Sequence, residues 1–215
     1  MAKNNKIDLP RKDEGGTPYL SYSQIATWKR SKRDYIRQYF LGEGFDGNQY
    51  TDLGKKVGEA LENNDFSDFS RDERKLLLQL PRLDSFERMI RLEFPEGFYI
   101  KGFIDTNSSD FKHIIDYKTG DMGKRTEYDN DDYYQLEIYA LALEQETGVL
   151  PDKAEVVLIE RLGNAFKGET LVLGSQFEII DRSLDVFRLE TVRQDVLKIA
   201  LEISEYYEAF KQLCK

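Results

Sequence analysis

The sequence has 215 residues, 40% hydrophobic and 33% charged, with a net charge of −9. This is the balance of a polar globular chain able to bury a core, and no apolar run approaches the roughly 18 residues a membrane span needs. A single cysteine, Cys214, and a single histidine, His113, exclude a disulfide framework, a cysteine-held cluster and a zinc site of several histidines; a metal here would be a hard cation on carboxylates.

Residues 1–17 are polar and are expected as a flexible arm ahead of one domain over 18–215. No apolar stretch opens the chain, so the expected compartment is the cytoplasm. Charge is polarised: residues 1–41 carry nine Lys/Arg against four Asp/Glu, net +5, and the remainder −14. SYSQIATWKRSKRDYIRQYF (21–40) predicts a helix capped by Ser21 or Ser23, with Ile25, Trp28, Tyr35, Ile36, Tyr39 and Phe40 on one side. Lys29, Arg33 and Arg37 follow at i, i+4, i+8 on an adjacent stripe, with Arg30 nearby. A second helix is expected over 52–63, and two more over 70–79 and 82–92, broken at Pro81.

Residues 98–105 (FYIKGFID) and 111–120 (FKHIIDYKTG) read as the strands of a hairpin around NSSD. A polar loop leads to a helix over 133–148, stopped by Gly148. A buried-looking strand follows over 154–162, with 169–174 as its pairing segment across the NAFKG turn. The last 30 residues predict one long helix whose apolar positions, Leu189 to Leu213, alternate three and four apart. That seam serves either the domain's own core or pairing with another chain. The fold class is α/β, a mixed sheet flanked by helices.

The chemistry concentrates on the hairpin. Asp116 and Lys118 stand two apart on one strand and share a face. Asp105 ends the neighbouring strand, where pairing around the turn can bring it near. Two carboxylates at one spot repel unless a cation joins them, one takes a proton, or a lysine offsets them. With hard oxygen ligands, Mg²⁺ or Mn²⁺ is the fitting ion, held by Asp105, Asp116 and the Tyr117 carbonyl. Lys118 is then placed to orient or deprotonate bound water, or to neutralise developing charge.

Asp105 followed by Asp116-Tyr117-Lys118 resembles the PD-(D/E)XK nuclease signature. The wider run GFID…HIIDYKTG…YYQLEIYALAL resembles the branch that holds the RecB nuclease domain and the CRISPR-associated exonucleases, and SYSQIATW…RDYIRQYF resembles that branch's first helix. The iron–sulfur cysteines of the CRISPR-associated members are absent. The resemblance implies a restriction-endonuclease-like core and a Mg²⁺- or Mn²⁺-dependent deoxyribonuclease, an exonuclease in recombination, repair or phage DNA processing. It makes Asp105, Asp116 and Lys118 catalytic, and lines the site with Gln135 and Tyr139. LGKKVGEALE carries Gly58 where the branch places a histidine, which leaves Glu59 as the acidic candidate for the metal.

The implied partner is DNA, a single strand or duplex end, with Lys29, Arg30, Arg33 and Arg37 as its phosphate-contacting stripe. A recombination or replication protein is a further implied partner, homo-oligomerisation would use the C-terminal seam, and no membrane is involved. The compartment becomes a bacterial cytoplasm or a phage-infected cell. The rival reading is a nuclease-fold accessory factor with weak or no catalysis.

Overall fold

The computed structural model describes residues 7–44 and 47–214. A mixed sheet of β1 (Tyr19–Leu20), β2 (Ser85–Phe94), β3 (Phe98–Asn107), β4 (His113–Gly120), β5 (Lys153–Leu162) and β6 (Val172–Asp181) forms its centre. β2 pairs antiparallel along the length of β3. The other edge of β3 is shared: β1 runs parallel at Tyr99 and Ile100, and β4 joins antiparallel only at Thr106 and Asn107. β4 then pairs parallel with β5, and β5 antiparallel with β6. β3 and β4 therefore part almost as soon as they meet, and this fork positions the site.

The strands past the fork are buried on both faces, as parallel strands between helices are. Ile114, Val156 and Leu158 enter one core with α1 (Tyr22–Arg30), α6 (Gln135–Thr147) and α7 (Val186–Leu213). Their neighbours Ile115, Val157 and Ile159 enter a second with α3 (Gln49–Asn63) and α4 (Arg71–Leu77). α6 is the crossover that parallel β4 and β5 require. It is apolar nearly all round, with Leu136 through Leu143 buried. In α7, Leu189, Val192, Val196, Ile199 and Ile203 are buried in the protein's own core. Among the described residues no helix is long and apolar enough to cross a membrane.

The sequence and the structure differ in five places. β6 pairs with β5 over Val172–Asp181 rather than 169–174. Residues 82–92 do not form a helix; Ser85–Phe94 is β2. Phe86, Met89 and Ile90 imitate helical spacing, but burial follows Ile90, Leu92 and Phe94, a period of two. The helix expected over 21–40 breaks at Ser31, whose hydroxyl accepts from the Asp34 N–H and starts α2 (Lys32–Tyr35), followed by a π turn at Ile36–Phe40. α3 starts at Gln49 rather than 52, because the Asn48 side chain caps the Thr51 N–H. Residues 7–17 are not a free arm: Ile7 and Leu9 are 2% and 0% exposed, the Asp8 N–H donates to Ser204 Oγ at 2.9 Å, and Lys211 donates to the Asp8 carboxylate at 2.6 Å. Residues 1–6 of that expected arm lie outside the described residues.

Candidate active site

The site begins where the β3–β4 ladder ends. The register Thr106↔Ile115 sets Asp105 opposite Asp116, but the strands separate there and leave the Tyr117 N–H without a ladder partner. The Asp105 carboxylate takes that N–H at 2.7 Å. A side chain thus replaces the missing backbone acceptor, and Asp105 is locked at the mouth of the fork. Alternation along β4 turns Tyr117 the other way, where its hydroxyl donates to the Pro81 carbonyl at 2.6 Å.

Asp116 is 0% exposed, and three side chains bond to it. Lys118 Nζ lies 2.6 Å from Oδ2. The Tyr133 hydroxyl donates to Oδ2 at 3.0 Å and Gln135 Nε2 to Oδ1 at 2.9 Å. Gln135 Nε2 also donates to the Tyr139 hydroxyl at 2.6 Å, one helical turn on. The Tyr139 ring fits there because residue 102 is glycine: a Cβ at Gly102 would stand 2.6 Å from ring atom Cε1. Burial, then the charge of Asp116, raises the Tyr133 phenol well above its ordinary range, so it remains a donor.

Burial and then the Asp116 charge push the Asp105 carboxyl up to about 7. Burial alone would lower Lys118, but the charges of Asp116 and Asp105 outweigh it and hold the ammonium above its ordinary value. Lys118 keeps 27% of its side chain exposed. It reaches an open cleft of about 590 Å³ together with Asp105, Tyr117 and Thr119. The opposite wall is α3, through Thr51, Gly54, Lys55, Gly58, Glu59 and Glu62. A Cβ at Gly58 would meet no heavy atom within 4 Å, so this wall is bare at that turn.

Of the residues singled out by sequence, Asp116, Lys118, Gln135 and Tyr139 form one hydrogen-bonded group, and Asp105, held on the Tyr117 N–H, feels the charges of Asp116 and Lys118. Glu59 stands on the cleft wall, but among the described residues no three His, Cys, Asp or Glu side chains come together as a metal cage. The basic stripe lies elsewhere. Lys29 pairs with Asp132 and Asp195, and Arg37 with Glu43. Arg30 and Arg37 line a separate groove.

Three residues of the site were not read from the sequence. Tyr133 precedes Gln135 by two positions and carries no motif of its own. Glu62 shares the Glu59 face of α3, a helical spacing that could have found it. Glu87 sits in the segment read as helix. The pairs Phe86↔Thr106 and Arg88↔Ile104 set it beside Asp105, with a left-handed φ of 49° that strains a non-glycine residue by about 1–2 kcal/mol.

The loop before α6 is held from behind. Arg182 donates to the carbonyls of Tyr128 (2.7 Å), Asn130 (3.1 Å) and Tyr133 (2.5 Å), and to Glu137 Oε1 (2.8 Å). Arg188 adds bonds to the Asp131 and Tyr133 carbonyls and to the same Glu137 oxygen. The two arginines fix the backbone from which Tyr133 reaches Asp116.

A family model described as the PD-(D/E)XK nuclease superfamily matches residues 66–212, more than half of the chain. Among solved structures, a phage-related exonuclease from Haemophilus somnus 129PT is 16% identical, with 99% of this chain and 93% of that one covered at a TM-score of 0.48. An alkaline exonuclease from Laribacter hongkongensis is 13% identical over 91% of this chain and 93% of that one, at a TM-score of 0.52, and shares the fold. No curated protein matches the chain.

Proposed function

Because the chain belongs to the PD-(D/E)XK nuclease superfamily, we propose that it is a divalent-metal-dependent deoxyribonuclease that degrades DNA from an end. The observation that carries this reading is the meeting of Asp105, Asp116 and Lys118 at the β3–β4 fork, beside an open cleft. The end-directed mode follows the name of the Laribacter alkaline exonuclease, whose fold the chain shares. On this reading the protein acts on DNA ends made during recombination or phage DNA processing.

A hard divalent cation fits the donors. An Asp105 carboxyl raised to about 7 by burial and Asp116 marks a carboxylate pair short of positive charge, and oxygen donors suit Mg²⁺ or Mn²⁺. Asp105, Asp116 and the Tyr117 carbonyl would hold the ion, with Glu59 on the facing wall. Once bound, it supplies polarisation of the phosphodiester oxygens. Gln135 and Tyr133 hold the Asp116 carboxylate in one orientation, and Tyr139 holds Gln135. The raised Lys118 stays an ammonium at neutral pH, so it serves as a fixed positive charge rather than as a base. Water adds to phosphorus and gives its proton to solvent, the bond to the leaving oxygen breaks and that oxygen takes a proton from solvent, and Lys118 faces the negative charge that grows on the phosphoryl oxygens. Arg30 and Arg33, which form no ion pair among the described residues, extend the phosphate contacts beyond the cleft.

Incubation with linear and covalently closed DNA tests this reading. Mg²⁺ or Mn²⁺ should release nucleotides from the linear form only, and a chelator should stop it. If Mn²⁺-loaded protein leaves every DNA form intact, the enzyme reading fails. The accessory-factor reading has its own support: Asp116 is fully buried and both its oxygens already have donors. That reading requires DNA binding without turnover, unchanged by Asp116→Asn.

Asp105 gives a prediction that does not depend on turnover. Its folded pKa of about 7 lies above the ordinary 3.8. Between these values the folded state holds a proton that the unfolded chain has lost, so stability falls as pH rises through this window. Asp105→Asn removes the penalty. It should stabilise the metal-free protein at pH 8, by on the order of 2 kcal/mol, and change little at pH 4. Urea titration at both pH values checks this. Mg²⁺ should raise the melting temperature of the wild type and not that of the variant.

A further inference from the structure

A second group of side chains lies beside the cleft, and the catalytic group does not use it. The turn between β5 and β6 carries Phe166 at its apex, 89% exposed. Its ring lies against Tyr50 of α3, with centroids 5.7 Å apart. The Arg161 guanidinium sits over the same Tyr50 ring, 4.3 Å from its centroid. Arg161 also reaches the carbonyl of Thr119, a cleft residue, at 3.5 Å. Among the described residues Arg161 has no carboxylate partner, and its buried Nε has no hydrogen-bond partner.

The turn is built to hold this shape. Asn164 Oδ1 accepts from the Phe166 N–H at 3.0 Å, and the Tyr50 hydroxyl accepts from the Ala165 N–H at 3.0 Å. Gly163 has φ 90°, and a Cβ there would stand 2.3 Å from the Thr170 carbonyl oxygen. An exposed ring fixed in advance, beside an unpaired guanidinium and a phosphodiester-sized cleft, fits a nucleotide: a face for the base and a charge for the phosphate.

We propose that Arg161, Tyr50 and Phe166 form a nucleotide-binding subsite at the rim of the cleft. Arg161 takes a backbone phosphate of the strand that lies in the cleft, and Phe166, backed by Tyr50, stacks on an unpaired base of that strand. The subsite rests on the nuclease reading and adds a preference for substrates with a single-stranded or frayed end.

The test uses the full chain and a fluorescein-labelled single-stranded oligonucleotide, with 2-aminopurine placed at successive positions. Wild type should bind it and change the 2-aminopurine emission at one or two positions. Phe166→Ala should weaken binding roughly tenfold and abolish the emission change, whereas Phe166→Trp should keep both. Arg161→Gln should weaken binding and reduce the salt slope by about 1. Phe166 is exposed, so Phe166→Ala should melt with the wild type and its result reads binding alone. A Phe166→Ala variant that binds and stacks like the wild type overturns the subsite and leaves the nuclease reading intact. A wild type that binds no single-stranded oligonucleotide yet degrades linear duplex overturns the subsite alone; one that also leaves every DNA form intact overturns both.

Discussion

Lys118→Met should lower the rate of DNA hydrolysis by about 10²–10⁴-fold while DNA and Mg²⁺ still bind. The ammonium lies 2.6 Å from Asp116 Oδ2, and its charge acts on Asp105 as well. Methionine keeps most of the unbranched stem and removes the ammonium, with its charge and its hydrogen bond to Asp116. Asp116 keeps its bonds from Tyr133 and Gln135, so the fold should survive. Lys118→Arg should not restore the rate, because a planar fork does not replace a compact point charge. Single-turnover hydrolysis, with calorimetric titration of Mg²⁺, separates chemistry from binding. A variant that cuts within threefold of wild type would remove Lys118 from the chemistry.

The largest effect on stability should come from the opposite end of the chain. Arg182→Ala should cost about 3–5 kcal/mol, the range for breaking a buried ion pair, and lower the melting temperature by about 10 °C. Glu137 is 0% exposed and shares one carboxylate oxygen between Arg182 and Arg188. Without Arg182, Glu137 relies on Arg188 alone, and the carbonyls of Tyr128 and Asn130 lose their donor. Arg182→Lys should recover little, since an ammonium cannot reach four acceptors at once. The same variant should slow hydrolysis at temperatures where it is folded, because the loop that presents Tyr133 to Asp116 is no longer fixed. Urea melts and rates at 15 °C measure the two effects separately. Full activity in a destabilised variant would reduce the clamp to a purely structural role.

These two residues show what the sequence displays and what it hides. Asp116 and Lys118 were legible because strand alternation puts them on one face, and Gln135 and Tyr139 through the resemblance of the YYQLEIYALAL run. α7 follows from a periodicity that burial respects, and β4, β5 and α6 from apolar runs bounded by turn residues. β2 was not legible: its apolar residues satisfy the helical and the strand spacing at once, and pairing with β3 decides between them. Arg182 gave no signal. It follows a strand in a polar stretch that reads as a loop, and its partners lie 45 to 54 residues upstream. The Lys29–Arg37 stripe was legible as a pattern, but the pairing of Lys29 with Asp132 and Asp195 required the fold.

The lid over the main core is α7, synthesised after every strand of the sheet. Until it leaves the ribosome, the apolar surface that Leu189, Val192, Val196, Ile199 and Ile203 will cover stays open to solvent, and Asp8 has no Ser204 to bind across 196 residues of sequence. Contacts of such separation form late. The main core, and with it the Arg188 arm of the clamp behind the Tyr133 loop, is therefore completed only once α7 has been made.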